Sequence, residues 1–469
     1  MFSAAQLANF KGKKRITQET FDAAVQENIT EFDMDPEEAL TSAVEEFSAQ
    51  GVDLSNIIKS VSGGNIAAHP ITTAVAALQA VGDAGAVAAA ADDIAAAVHA
   101  EGADQVASVL HRAGAAQALA ASIAAAAADP AALLSILRAL YALLASASRE
   151  LQADFAQAHG AAAVHGALSS RPGSSVVAAA LQVAAASAVK NEGGKAALME
   201  AGWGRSSLEA MQQCAGDADT LQAACAVLCT LTNPDDESQP GSRAFPNARA
   251  LAKEGAAKQL VDSLRGHAEL PAEAVAALAT ALKQIAANEE ICQEVAGAGG
   301  VQLALQILET GMTTILARPV CALVRQLVSS DGNKGLLVGC GGLQLLSALL
   351  AAPSSSPALL EQALGVLTNV TLRNPEAAAK ALECGCLDAV LELMRVLLAN
   401  SNGKENRGTT AVQRQACMAL RNIAARSPDV RTELLGKGAE GLLRQIRAAY
   451  PSCVDAGSAA LRDLGLAYN

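Results

Sequence analysis

A chain of 469 residues that is 51% hydrophobic but 2% aromatic, with alanine and leucine supplying most of the apolar content, has material for a large core of helices. Its net charge of −13 excludes a general nucleic-acid binder, which needs clustered Lys and Arg against phosphates. Its most apolar windows, such as Ala113 to Ala128 with Gln117 and Ser122 inside, fall short of the ~18 strongly apolar residues of a membrane span.

Residues 1–59 read as an acidic helical region. Met1 to Ile16 lacks the apolar core of a secretory signal, which points to the cytoplasm. From Ile16 to Ile58 there are 11 acidic residues and no basic one. Phe21, Val25, Ile29 and Phe32, at spacings of 4, 4 and 3, predict an amphipathic helix over Thr17 to Met34. Asp35-Pro36-Glu37-Glu38 caps a second helix that runs to Gln50. The first helix either covers an end of the larger C-terminal region or recruits a partner through its apolar stripe. Gly51 and Ser62-Gly63-Gly64 mark a break, and 60–70 is a linker.

From Ile71 to the end, 71–469, the pattern repeats. A helix ends in a small residue plus glycine and an apolar helix comes next, at Gly114, Gly160, Gly202, Gly255, Gly299, Gly341, Gly385 and Gly438. The intervals are 46, 42, 53, 44, 42, 44 and 53 residues, five of them in the 40 to 47 window of helical repeat arrays. Glycine suits each corner because a sharp helix-to-helix turn needs positive φ without a Cβ clash. A longer amphipathic helix closes the unit, as in Leu359 to Leu372 and Val412 to Ala425. Asn191, Asn288, Asn333 and Asn374 stand where caps of the next unit belong. The two long intervals hold polar insertions, Asn233 to Asn247 and Asn400 to Thr410, which serve as solvated loops or as contact elements.

With this repeat, and with the segments Arg15 to Val25, Gln50 to Ile57, Asn288 to Val295, Gln415 to Ile423 and Ala459 to Gly465, the chain resembles the armadillo-repeat family over near its full length. The resemblance implies an all-α, armadillo-type right-handed α-solenoid of about eight repeats, preceded by the short acidic N-terminal region. It implies that third helices line a concave face, and it brings no cofactor and no reaction.

Gln284, Gln326, Asn369 and Asn422 form a ladder along those third helices, 42, 43 and 53 residues apart. In peptide-carrying armadillo proteins an asparagine here bonds the backbone of an extended ligand, and a tryptophan four residues earlier packs its side chains. This chain departs from that pattern: Gly365 and Met418 hold the earlier places, and its one tryptophan is Trp203. The ladder therefore either contacts a ligand or ties neighbouring repeats together. Arg325, Arg373, Arg414 and Arg421 surround it and would attract an acidic or extended segment; Arg373 and Arg414, four and eight residues from ladder amides, are placed on its face.

No catalytic residue, metal ligand or cofactor site is assigned. Gly193-Gly194-Lys195 lacks the first glycine and the hydroxyl of a phosphate loop, and the glycine pairs near 299 and 341 come after no strand. Cys340 and Cys384, at one repeat position, read as small buried side chains before a turn. The ten cysteines form no framework, which fits a reducing compartment. His111, His159, His165 and His267 show no carboxylate in register. The expected function is a non-enzymatic protein–protein interaction scaffold or adaptor in the cytoplasm, without nucleic-acid or membrane binding. The alternative is a structural part of a microtubule-based ciliary or axonemal assembly.

Overall fold

The computed structural model describes residues 16, 18–32, 34–52, 54, 57, 59, 69–80, 83–168, 173–238, 241–310, 314–352, 355–400, 406–425 and 428–467. Most of the linker positions, including Ser62-Gly63-Gly64, and the middle of the second insertion, 401–405, lie outside them. Among the described residues every regular element is helical. The chain divides into two compact units, residues 1–203 with 234–242, and residues 204–233 with 243–469.

The first unit opens with α1 (Gln18–Glu31) and α2 (Pro36–Ala49). Asp35 caps α2 as expected, accepting from the Glu37 and Glu38 amides at 2.9 and 3.0 Å. Phe21 is fully buried with Ala43, Leu54 and Ile57, and its ring lies 6.0 Å from that of Phe47. The stripe ends earlier than the sequence suggests. The helix stops at Glu31, so Phe32 falls outside the packed face and is 65% exposed. Buried Asn28 fills the third slot instead, donating to the Ala39 carbonyl at 3.2 Å.

Helices α3 (Pro70–Ala80) and α4 (Ala84–Glu101) begin the array. Eight groups of three come after them. They are α5 (Ala103–Ala113), α6 (Ala115–Ala126) and α7 (Pro130–Leu144); α8 (Arg149–Gln157), α9 (Gly160–Ala167) and α10 (Ser174–Ser187); α11 (Glu192–Glu200), α12 (Trp203–Gln213) and α13 (Ala218–Thr232); α14 (Ala244–Lys253), α15 (Ala256–Arg265) and α16 (Ala272–Ile285). Next come α17 (Glu289–Gly297), α18 (Gly300–Thr310) and α19 (Thr314–Leu327); α20 (Asp331–Gly339), α21 (Gly342–Ala351) and α22 (Pro357–Thr371); α23 (Pro375–Glu383), α24 (Cys386–Ala399) and α25 (Arg407–Ala424); α26 (Pro428–Gly436), α27 (Ala439–Ala449) and α28 (Val454–Asp463). Third helices stack on third helices. In the first unit α4 packs on α7 and α7 on α10; in the second, α13, α16, α19, α22, α25 and α28 pack in succession. The α22 stripe of Leu360, Ala363, Leu364, Leu367 and Val370 is buried throughout. Each fully buried leucine contributes ~1.5–3 kcal/mol.

Seven of the eight corner glycines have positive φ, from 69° to 89°, and at Gly341 the chain turns through 77° between α20 and α21. Gly160 is the exception. The left-handed residue there is His159 at φ 53°, while a Cβ on Gly160 would lie 2.2 Å from the Phe155 ring. Gly160 thus matches Gly300 and Gly342, the second glycine of each pair, which packs close against the preceding helix. Asn191, Asn288 and Asn374 cap helices, but Asn333 does not. Ser330 holds the cap of α20, and buried Asn333 donates instead to the Cys292 and Leu327 carbonyls, both at 2.9 Å.

Candidate functional site

The third-helix surface of the second unit carries the predicted ladder, and its hydrogen bonds explain the ladder's residue types. A helix leaves its last four carbonyls without intrahelical donors. Gln326 on α19 donates its amide to the Ala286 carbonyl at the end of α16, at 2.7 Å. Asn369 on α22 donates to the Arg325 carbonyl in the last turn of α19, and Asn422 on α25 to the Thr368 carbonyl in the last turn of α22, both at 3.0 Å. Gln284 accepts from the Thr232 hydroxyl at 2.8 Å. The ladder is an inter-repeat tie: Gln326, Asn369 and Asn422 each donate an N–H to a carbonyl of the preceding repeat, and Gln284 holds the Thr232 hydroxyl through its oxygen. Asn369→Ala should therefore cost about 1–2 kcal/mol by urea denaturation, since it strands a helix-end carbonyl.

The four arginines separate. Arg325 lies across Gly365, where a Cβ would come within 2.5 Å of its Nε, and it donates to the Gln362 Oε1 at 3.4 Å. A glycine stands at that place because the guanidinium occupies the space. Arg414 is exposed on α25. Arg421 donates to Asp463 on α28 at 2.9 Å. Helical spacing does not place Arg373 on the ladder's face: α22 ends at Thr371, Arg373 comes after it at φ 56°, and it reaches Asp331 at 3.4 Å.

The sequence reading missed two further cations, Lys283 on α16 and Arg318 on α19. Both are exposed and line a cavity of about 510 Å3 with Thr280, Ile315, Pro319, Ala322 and Gln362. The ladder itself was the available signal. Lys283 precedes Gln284 as Arg325 precedes Gln326 and Arg421 precedes Asn422, and Arg318 stands eight residues before Gln326 as Arg414 does before Asn422.

In the first unit the opening of the first insertion is bound. Lys195 is fully buried; its Nζ donates to Glu192 at 2.8 Å and to Asp235 at 2.5 Å. Burial alone would lower its pKa, but the hydrogen bonds to Asp235 and Glu192 outweigh it and raise the value. Asp236 accepts from the Ser238 hydroxyl, the Glu192 amide and Arg149, which hold its carboxyl far below the usual range. The insertion thus caps the Glu192 amide at the start of α11 with negative charge, where the helix dipole favours it. Lys334, fourth in α20 as Lys195 is in α11, repeats the arrangement, pairing with Asp331 at 2.6 Å and donating to the Leu372 carbonyl at 2.7 Å.

Two other expectations change. His111 does have a carboxylate in register: its Nδ1 lies 2.6 Å from Asp154 one repeat later, a pairing that local spacing hides. Cys340 is exposed and Cys384 half-buried, each a C-cap residue at a helix end rather than a core position. Burial pushes the thiols of Cys229, Cys321, Cys386 and Cys417 up to about 12, so they are protonated and weakly nucleophilic at neutral pH.

Comparison with known proteins agrees with this architecture. The family model described as Armadillo repeat-containing protein 6 N-terminal domain matches residues 13–85, and that of the Armadillo/beta-catenin-like repeat matches residues 330–372. The chain is 31% identical to Armadillo repeat-containing protein 6 of Homo sapiens over 386 residues, 77% of this chain and 75% of that protein. It is 26% identical to the Drosophila melanogaster homolog over 394 residues, 79% of this chain and 80% of that one. A crystal structure of an engineered protein superimposes with a TM-score of 0.55 at 20% identity, covering 85% of this chain and 99% of its own, a likeness of fold alone. With eight three-helix repeats and a relative of this similarity, the chain belongs to the armadillo repeat-containing protein 6 family.

Proposed function

We propose that this protein is a non-enzymatic interaction scaffold that holds a partner protein along the third-helix surface of its second unit. The observation that carries the reading is the division of labour on that surface. The ladder amides are engaged in holding the repeats together, whereas Lys283, Arg318 and Arg414 project from the same helices as exposed cations. Membership of a family of repeat proteins supports it, because stacked repeats present an extended surface whose positions are fixed by their neighbours. The protonated state of the Cys229, Cys321, Cys386 and Cys417 thiols is consistent with a role without catalysis.

Replacing Ala322, in the cavity wall, with the photo-crosslinker p-benzoylphenylalanine should give discrete adducts with a partner in living cells. The same replacement at exposed Gln344 on α21, a second helix, should not. Equal adducts at both positions, or adducts at Gln344 alone, would contradict the assignment of this surface.

A further inference from the structure

We infer that the partner element held here is an extended acidic segment carrying a bulky apolar side chain, seated on α16, α19 and α22 with Lys283 and Arg318 as its charge partners. The inference rests on the scaffold reading and adds the chemistry of the guest. Charge is the first argument. Although the chain carries a net −13, helices α16, α19, α22 and α25 hold six basic residues (Lys283, Arg318, Arg325, Arg407, Arg414, Arg421) against two acidic ones, Glu273 and Glu361. Glu361 is half-buried and Glu273 is exposed, so the exposed charge on these helices is still mainly basic. Of the six cations, Arg421 already has a carboxylate, Asp463, and Arg325 lies over Gly365 holding Gln362. Lys283, Arg318, Arg407 and Arg414 remain exposed.

The cavity lining is the second argument. Gln362 gives its oxygen to Arg325, so the amide N–H groups are what it offers a guest. Beside these donors Ile315 is 51% exposed, next to Pro319 and Ala322, an apolar floor that a guest side chain would remove from water. Pro319 has no N–H to close on the Ile315 carbonyl, so that carbonyl lacks its helical donor and can accept from a guest backbone. An inorganic anion would use the cations and leave the floor bare; a neutral apolar peptide would leave the cations without partners. An acidic peptide uses both. Packed helices lie ~8–10 Å apart, and extended chain advances ~3.3 Å per residue. About nine residues would therefore reach from Lys283 on α16 across α19 and α22 to Arg414 on α25, with carboxylates needed opposite α16 and α19 and, at the far end, α25.

Fluorescence anisotropy with the full-length protein tests this. The probe is a fluorescein-labelled peptide of about nine residues, aspartates and glutamates around a central leucine, with three comparison probes: glutamines replacing the acids, lysines replacing them, and glycine replacing the leucine. The acidic probe should bind, each of Lys283→Glu and Arg318→Glu should weaken it about tenfold, and the glycine probe should bind less tightly. Lys258→Glu, reversing an exposed charge on α15, should change nothing. Thermal melts of the exposed-site variants show whether the fold is kept. No binding by the acidic probe, binding insensitive to both reversals, or equal binding of the glutamine or lysine probe overturns the inference. The photo-crosslinking at Ala322 would still succeed in those cases, so failure here is distinguishable from failure of the scaffold reading.

Discussion

Lys195→Ala should destabilise the first unit by about 3–5 kcal/mol, the cost of removing one partner from a buried ion cluster. The magnitude reflects the groups left behind: Glu192 is buried, and Asp235 faces the vacated space with its second oxygen still accepting from the Lys190 amide at 3.2 Å. Lys195→Met, which fills the volume without the charge, should recover part of the loss. The sign of the pH dependence can be worked out from the two shifted groups. The raised Lys195 pKa means its contribution is fully present below the unfolded value, ~10.4, and disappears as pH rises through the folded value. The lowered Asp236 pKa means its contribution is present above ~3.9 and is lost as pH falls through the folded value. The clasp should therefore hold from about pH 4 to about pH 10. Hydrogen-exchange mass spectrometry of α11 and residues 234–238 at pH 7, with urea denaturation alongside, reads the effect. Wild-type protection in Lys195→Ala would show that the cluster does not hold the insertion.

The fold was legible because its signals are local and repeated. A glycine that must adopt positive φ, an asparagine that caps a helix and a leucine stripe at helical spacing each depend on a few neighbouring residues, and eight repetitions reinforce them. What local reading misplaced were residues whose partners lie one repeat away. Asn333 looks like a cap by position, yet its amide is used by carbonyls of α17 and α19, one of them 41 residues earlier. His111 meets Asp154 at a separation of 43, and Lys195 meets Asp235 at 40. The candidate surface was half legible for the same reason. The ladder positions were found from their period, but their use in capping the preceding helix depends on which carbonyls that helix leaves open. Arg373 was misplaced by a single left-handed residue, which no spacing rule anticipates.

The adjacent glycines Gly341 and Gly342 should respond differently to substitution, because they are glycine for different reasons. At Gly341, φ is 77° and a Cβ would meet nothing nearer than the Gln344 side chain at 3.9 Å, so the constraint is conformational. Alanine there should cost about 1–2 kcal/mol, the penalty of a left-handed residue with a Cβ. Asparagine, whose short side chain bonds locally in that conformation, should recover much of it. At Gly342 the backbone is helical, but a Cβ would lie 2.6 Å from Leu337 Cγ and 2.8 Å from the Leu337 carbonyl oxygen. Leucine can rotate; the carbonyl is fixed by α20, so the two helices must move apart. Alanine should cost up to about 3 kcal/mol, the upper end for overpacking. Asparagine, being larger, should cost more, which reverses the order expected at Gly341. Urea midpoints for the four variants decide the matter: a matching order at the two positions would mean that close helix packing does not explain the second glycine of the pair.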